Sequence, residues 1–217
     1  IHGAALGAGG QGGLQLAGVV GLAIGDEAIH RCLDIFEAHP VASPAHHTIE
    51  HLENFQPDDI ARIARADVIA SVQPRHITLD PGGPERDLGP ERVPYMWPFR
   101  TLLDSGATLA FGTDSPVTDI DPIDAVYTAV TRRDADTHEP LGGWLPEERI
   151  TLAEALRAYT AGSAAAAQRA DELGQLAPGM FADIVVLDPN PFELAPDDLQ
   201  QAKVQATYVA GKKVYER

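Results

Sequence analysis

The chain is short of cationic side chains. Its 16 Lys and Arg stand against 32 Asp and Glu, for a net charge of -16. The only lysines, Lys203, Lys212 and Lys213, all lie near the C-terminal end. That balance argues against nucleic acid and anionic membrane as partners, because both recruit proteins through basic surface. Cysteine is nearly absent as well. Cys32 stands alone, so no intrachain disulfide forms, and a reducing cytoplasm is the expected location. Cys32 falls in an expected helix from Glu27 to Ala38 with no activating neighbour, and it reads as a buried structural thiol. Long apolar runs are missing too. The stretch Leu14 to Ile24 is interrupted by Gly18 and Gly21, and no basic signal-like start precedes it, so neither a membrane span nor a signal peptide is expected.

What is present is enough for a core. A hydrophobic content of 44% over 217 residues excludes general disorder and supports one sizeable core with a small appended domain. Residues 1–25 are unlike the rest, with nine of the 20 glycines. They read as a Gly-rich lead-in followed by a strand from about Leu16 to Ile24.

From Asp26 onward a strand–helix rhythm sets in. Asp26 is placed to cap the helix carrying Ile29, Leu33, Ile35 and Phe36. Ala45 to His51 reads as a strand, and Pro57-Asp58-Asp59 opens a helix with Ile60 and Ile63 on one face. Asp67 to Val72 reads as a buried strand stopped by Gln73-Pro74. Leu79 to Pro98 reads as a long loop, followed by a helix through Leu103. Ala107 to Gly112 is the next strand and Pro122 to Arg133 the next helix. This repetition predicts parallel pairing with right-handed crossovers. Four strand–helix units make half of a closed (β/α)8 barrel, and the other half is expected to precede residue 1. Thr151 and Glu154 form a capping box for an Ala-rich helix through Ala167. Asp183 to Leu187 then reads as a buried strand. Gln205 to Ala210 and Lys213 to Glu216 flank Gly211-Lys212, a hairpin signal.

Chemistry in a parallel barrel sits where strands end. The strand through Leu109-Ala110 closes on Phe111-Gly112-Thr113-Asp114-Ser115-Pro116, and an earlier one ends in Thr48-Ile49-Glu50-His51. His51 is a candidate ligand for Zn, Fe or Ni, all of which accept imidazole. Asp114 is a candidate ligand and proton carrier, since a metal acidifies water toward neutral pH and an aspartate can pass the proton to a leaving nitrogen. His76, in Gln73-Pro74-Arg75-His76, is a candidate contact to a substrate oxygen. Bland readings stand beside each: a hydrogen-bonded polar His51, a turn cap at Asp114 before Ser115-Pro116, and an exposed loop histidine at 76. Two strand-tip donors together favour the site. Glu50 points to the opposite face of its strand. His46 and His47 read as structural, and Trp144 as loop packing. A catalytic zinc needs three or more protein ligands, whereas this chain offers two clear ones, no His-x-His pair and no barrel lysine.

The pieces Ala23-Ile24-Gly25-Asp26-Glu27-Ala28, Ile49-Glu50-His51, Ala70 to His76, Gly112 to Val117, Leu156 to Thr160 and Gly174 to Asp188 occur in one order over nearly the whole chain. In that order they resemble the amidohydrolase superfamily, specifically the family 3 amidohydrolases, some of which act on N-substituted formamides. The resemblance implies a TIM-like (β/α)8 barrel, of which residues 1–168 are the C-terminal half (strands 5–8). Residues 169–217 are then a segment of a small β-sandwich domain. It also implies one or two divalent metals, zinc first, held in part by His51 and Asp114. Two positions depart from the family pattern: Leu22 stands where the fifth-strand His is expected, and Thr48 where an Arg precedes Ile-Glu-His.

The function expected is a metal-dependent amidohydrolase cutting non-peptide carbon–nitrogen bonds of a small amide-type substrate. The rival reading is a non-catalytic scaffold or binding protein on the same fold. Exposed strand edges on a half barrel also predict association, with a second copy as the simplest partner.

Overall fold

A computed structural model of the chain describes residues 4–6 and 16–217. Most of the Gly-rich lead-in lies outside the described residues. Strands β1 (Ala4–Leu6), β2 (Leu16–Ala23), β3 (Thr48–His51), β4 (Ile69–Val72) and β5 (Thr108–Phe111) form one sheet in sequence order. β1 is antiparallel to β2, while β2 to β5 are parallel. Helices α1 (Asp26–Ala38), α2 (Ile60–Arg65), α3 (Gly83–Leu88) and α4 (Phe99–Asp104) fall between the parallel strands. The protein is therefore α/β with a parallel sheet, as the strand–helix rhythm predicts.

The pleat explains which residues reach the core. Ile49, Ala70, Val72, Leu109 and Phe111 alternate onto one side of the sheet, where they meet Ile29, Leu33 and Phe36 of α1, Ile63 of α2, and Phe99 and Leu102 of α4. Each such burial contributes about 1.5–3 kcal/mol. On the other side stand Thr48, Glu50 and Ser71, with Leu22 paired beside Glu50. Leu22 is 53% exposed.

Several elements differ from expectation for local reasons. α1 starts at Asp26 with Gly25 at the N-cap position and no side-chain cap; the Asp26 carboxylate instead pairs with Arg92. The strands are shorter than their apolar runs. Within the expected loop Leu79 to Pro98, Gly83–Leu88 is helical, started by Pro84 near its N-terminus. His47 is buried, accepting from the Val19 amide at Nδ1 and bonded through Nε2 to the His39 carbonyl. Cys32 is only half-buried, and desolvation raises its thiol pKa.

After β5 come α5 (Pro122–Thr131), α6 (Leu152–Arg157) and α7 (Ser163–Ala166). The capping box forms, with the Thr151 side chain on the Glu154 amide and the Glu154 carboxylate on the Thr151 amide. The expected continuous helix to Ala167 is interrupted by a π-turn at Ala158–Gly162. There Gly162 lies against the β5 backbone, so close that an added Cβ would sit 1.9 Å from the Leu109 carbonyl oxygen.

Strands β6 (Ile184–Asp188), β7 (Lys203–Val209) and β8 (Lys212–Glu216) make a separate antiparallel sheet. β6 is not buried as expected: the neighbouring Val185 and Val186, which point to opposite faces of the sheet, are 52% and 43% exposed. The β7–β8 turn is Ala210-Gly211, one residue earlier than expected. Both have positive φ, 49° and 78°, as a two-residue turn matched to strand twist requires.

Candidate metal and proton-transfer site

The site grows from three parallel strand ends. β3 does not simply stop: His51 and Leu52 both adopt left-handed backbone, at φ 76° and 52°. Such geometry is uncommon outside glycine and costs of order 1–3 kcal/mol per residue. It is held by the Leu52 amide donating to the Ala23 carbonyl at 3.0 Å and the Asn54 amide to the Ile24 carbonyl at 3.0 Å. The reversal carries His51 off the strand pleat and brings Glu53 up beside it. Asp114, just beyond β5, is left-handed too, at φ 54°, and its carbonyl accepts from the Val117 amide at 2.8 Å. β4 runs into a 3-10 turn, Pro74–Thr78, that buries His76.

These side chains converge. His76 Nδ1 lies 3.3 Å from Glu53 Oε1 and its Nε2 lies 3.8 Å from Asp114 Oδ2. The His51 and His76 rings stack with centroids 5.7 Å apart. His51 Nδ1 is 3.9 Å from Glu53 Oε1, too long for a hydrogen bond. Ligand atoms of His51, Glu53 and His76 all lie within 4.8 Å of one another. Asp114 remains 42% exposed at the mouth. Thus His51, His76 and Asp114, picked out separately in the sequence, share one site, with His76 in contact with both others. His76 is not the exposed loop residue of its bland reading.

Two buried nitrogens there, His51 Nδ1 and His76 Nε2, have no hydrogen-bond partner among the described residues. Buried polar atoms are ordinarily satisfied, and an exception asks for an ion or water. Two imidazoles with the Glu53 carboxylate are a donor set suited to a divalent transition ion, and Asp114 stands beside His76 outside that cluster. The residues present therefore fit a metal.

Residues 17–215 match the profile of the amidohydrolase family. The chain belongs to that family. Protein LONG AFTER FAR-RED 3 of Arabidopsis thaliana is 38% identical over 197 residues, covering 89% of this chain and 33% of its own length. N-substituted formamide deformylase of Arthrobacter pascens is 36% identical over 122 residues, 56% of this chain and 22% of that protein. An uncharacterized metal-dependent hydrolase from Pyrococcus horikoshii superposes with a TM-score of 0.72 at 34% identity, over 82% of this chain and 35% of that one. The chain spans about a third of the length of such relatives.

In this amidohydrolase chain the member that sequence reading passed over is Glu53. Its only signal was adjacency: it lies two residues beyond His51, where an ordinary strand would have ended. Glu50 behaves as expected, on the other face, accepting from Gln73 Nε2 at 3.1 Å.

Proposed function

We propose that the chain carries the strand 5–8 half of a (β/α)8 barrel in residues 1–168 and part of a small β-sandwich in 169–217. In this reading it is a metal-dependent hydrolase of non-peptide carbon–nitrogen bonds in a small amide-type substrate. The observation that carries it is the pair of orphaned imidazole nitrogens facing Glu53 and Asp114 at the strand ends. His51 and Asp114 hold the divalent ion, zinc in the first instance, with Glu53 within reach. When bound, such an ion supplies Lewis acidity and makes water acidic enough to attack at neutral pH.

The chain's own residues do the rest. Asp114 Oδ2, open to solvent and 3.8 Å from His76 Nε2, takes the proton of the attacking water and delivers it to the leaving nitrogen. Glu53 orients the His76 ring through Nδ1, as outer carboxylates commonly do for functional imidazoles. With both nitrogens protonated, His76 Nε2–H is free to donate to the substrate oxygen. With Nε2 bare, the same atom is a further ligand beside His51. The family supports a small-molecule substrate, and the proposed setting is cytoplasmic; among the described residues no helix is long and apolar enough to cross a membrane. Open strand edges support association with a second copy.

A second reading, a scaffold that has lost catalysis, is favoured by one observation: an exposed Leu22, unable to ligate, at the end of β2. Elemental mass spectrometry on the dialysed protein separates the two. The hydrolase reading expects about one equivalent of zinc, iron or nickel per chain, lost in His51→Ala. Retention of metal by His76→Ala assigns His76 to substrate, and loss assigns it to the ion. In a preparation that turns over an amide, Asp114→Asn should abolish turnover; unchanged turnover defeats the proton-carrier role. A metal-free protein favours the scaffold.

A further inference from the structure

Two segments without a readable recognition pattern, the stretch after His76 and the one after α5, come together in the fold. Between them lies a cleft of about 420 Å³, within the range of small-molecule sites. Ile77, Pro81, Pro84, Pro140 and Trp144 give it apolar walls, and Asp80, Asp134 and Glu139 are its charged members. No Lys or Arg lines it among the described residues.

The walls are held in place. Asp134 accepts from Thr78 Oγ1 at 3.0 Å and from the Thr137 amide at 2.8 Å, which ties one side of the cleft to the other. Glu139 accepts from the Leu141 amide at 2.8 Å. Trp144 donates from Nε1 to Glu85 at 2.8 Å, and the Arg132 guanidinium lies 5.5 Å from its ring centroid. Trp144 also meets Trp97 edge-on at 5.9 Å, and the Trp97 amide donates to the Glu53 carbonyl at 2.9 Å. The cleft adjoins the site without sharing a lining residue with it: Ile77 follows His76 directly in the chain, and Trp144 packs on Trp97, whose amide donates to the Glu53 carbonyl.

We propose that this cleft receives the non-reacting, apolar part of the substrate, and that it accepts neutral or cationic groups and rejects carboxylates. The proposal rests on the hydrolase reading for what is cut, but not for what is bound. Apolar walls reward a hydrocarbon group of matching size. Asp80 is paired with Arg86 at 2.7 Å, whereas Asp134 and Glu139 have no cationic partner among the described residues; these two carboxylates raise the energy of any anion placed between them, and such repulsion is an ordinary source of specificity.

The test needs no catalysis. The chain has two tryptophans, so its indole N–H proton signals are readily assigned with Trp97→Phe and Trp144→Phe. Cyclohexylmethanol, cyclohexylmethylammonium and cyclohexanecarboxylate, three probes of similar shape and different charge, are titrated into the 217-residue protein. The alcohol and the ammonium should shift the Trp144 signal saturably, with the carboxylate weaker by about tenfold or more. Pro81→Phe, at an exposed wall position, should block all three. Glu139→Lys, at the exposed rim, should narrow or reverse the preference against carboxylate. The inference is overturned if no probe moves Trp144, if the carboxylate binds equally, or if Pro81→Phe changes nothing. A protein without metal or turnover that still shows the predicted binding pattern would sink the hydrolase reading and leave the cleft assignment standing.

Discussion

Replacing Gly162 by Ala tests whether the π-turn is dictated by its approach to β5. The new Cβ would lie 1.9 Å from the Leu109 carbonyl oxygen, 3.0 Å from its carbon and 3.3 Å from Ala110 Cα. A carbon–oxygen contact settles near 3.3 Å, so helix and strand must part by about 1.4 Å. Two neighbouring contacts do not survive that shift. The Ser163 hydroxyl lies 3.0 Å from both the Phe111 and the Ala158 carbonyls and loses the first of these acceptors, at a cost of up to about 1 kcal/mol. The Tyr159 ring meets Phe111 edge-on at 5.6 Å, worth about 0.5–1.5 kcal/mol. A gap of this size also forfeits much of the local dispersion. Together these come to about 1.5–3 kcal/mol, or about 3–12 °C in Tm for a chain of this length. Urea titration followed by circular dichroism, with calorimetry alongside, measures it. Gly112→Ala is the control on the same strand end, because a Cβ there meets nothing within 4 Å; it should stay within about 0.5 kcal/mol of the parent. A Gly162→Ala protein that unfolds within about 1 kcal/mol of the parent would refute the close approach as the cause of the π-turn.

Three further substitutions probe two groups that tie separate elements together. The Arg100 guanidinium, bonded to both Glu154 oxygens at 2.7 and 3.2 Å, pulls the Glu154 carboxyl down to about 2. The folded state therefore binds that proton less readily than the unfolded one, and its contribution is present above about pH 4.5 and lost as pH falls toward 2. Allowing for partial exposure it amounts to about 1–2 kcal/mol, and Glu154→Gln should flatten this part of the stability–pH curve. Arg132 is fully buried, and desolvation lowers its pKa to about 10. It donates to the Trp144 and Trp97 carbonyls at 3.0 Å each and lies 5.4 Å from the Phe99 ring centroid. Arg132→Met leaves the Trp144 carbonyl without its Arg132 donor and the Trp97 carbonyl with the Phe99 amide alone, and should cost about 1–3 kcal/mol in chemical denaturation. Arg132→Lys, without the planar fork, should recover less than half of that; full recovery would show that charge alone suffices.

Local pattern and composition determined much of this protein without help. Apolar runs broken by Pro, Gly and Asp placed the parallel strands to within a few residues, and Thr151-x-x-Glu154 announced a cap that formed in full. The places of His51 and Asp114 at the ends of parallel strands were legible from the apolar runs before them, and that of His76 because it follows a third such end. Tertiary structure decided the rest. Glu53 joins the site only because His51 and Leu52 turn left-handed under the pull of hydrogen bonds to the end of β2, a contact with residues nearly thirty positions earlier. The π-turn falls where Gly162 lies against the β5 backbone, a contact across the fold. β6 has the composition of a core strand yet stays exposed, because burial depends on what packs against a face. The cleft is assembled from segments about sixty residues apart, each unremarkable alone. Periodicity is a property of neighbours along the chain. A site is made by neighbours across it, and only the packed fold brings those together.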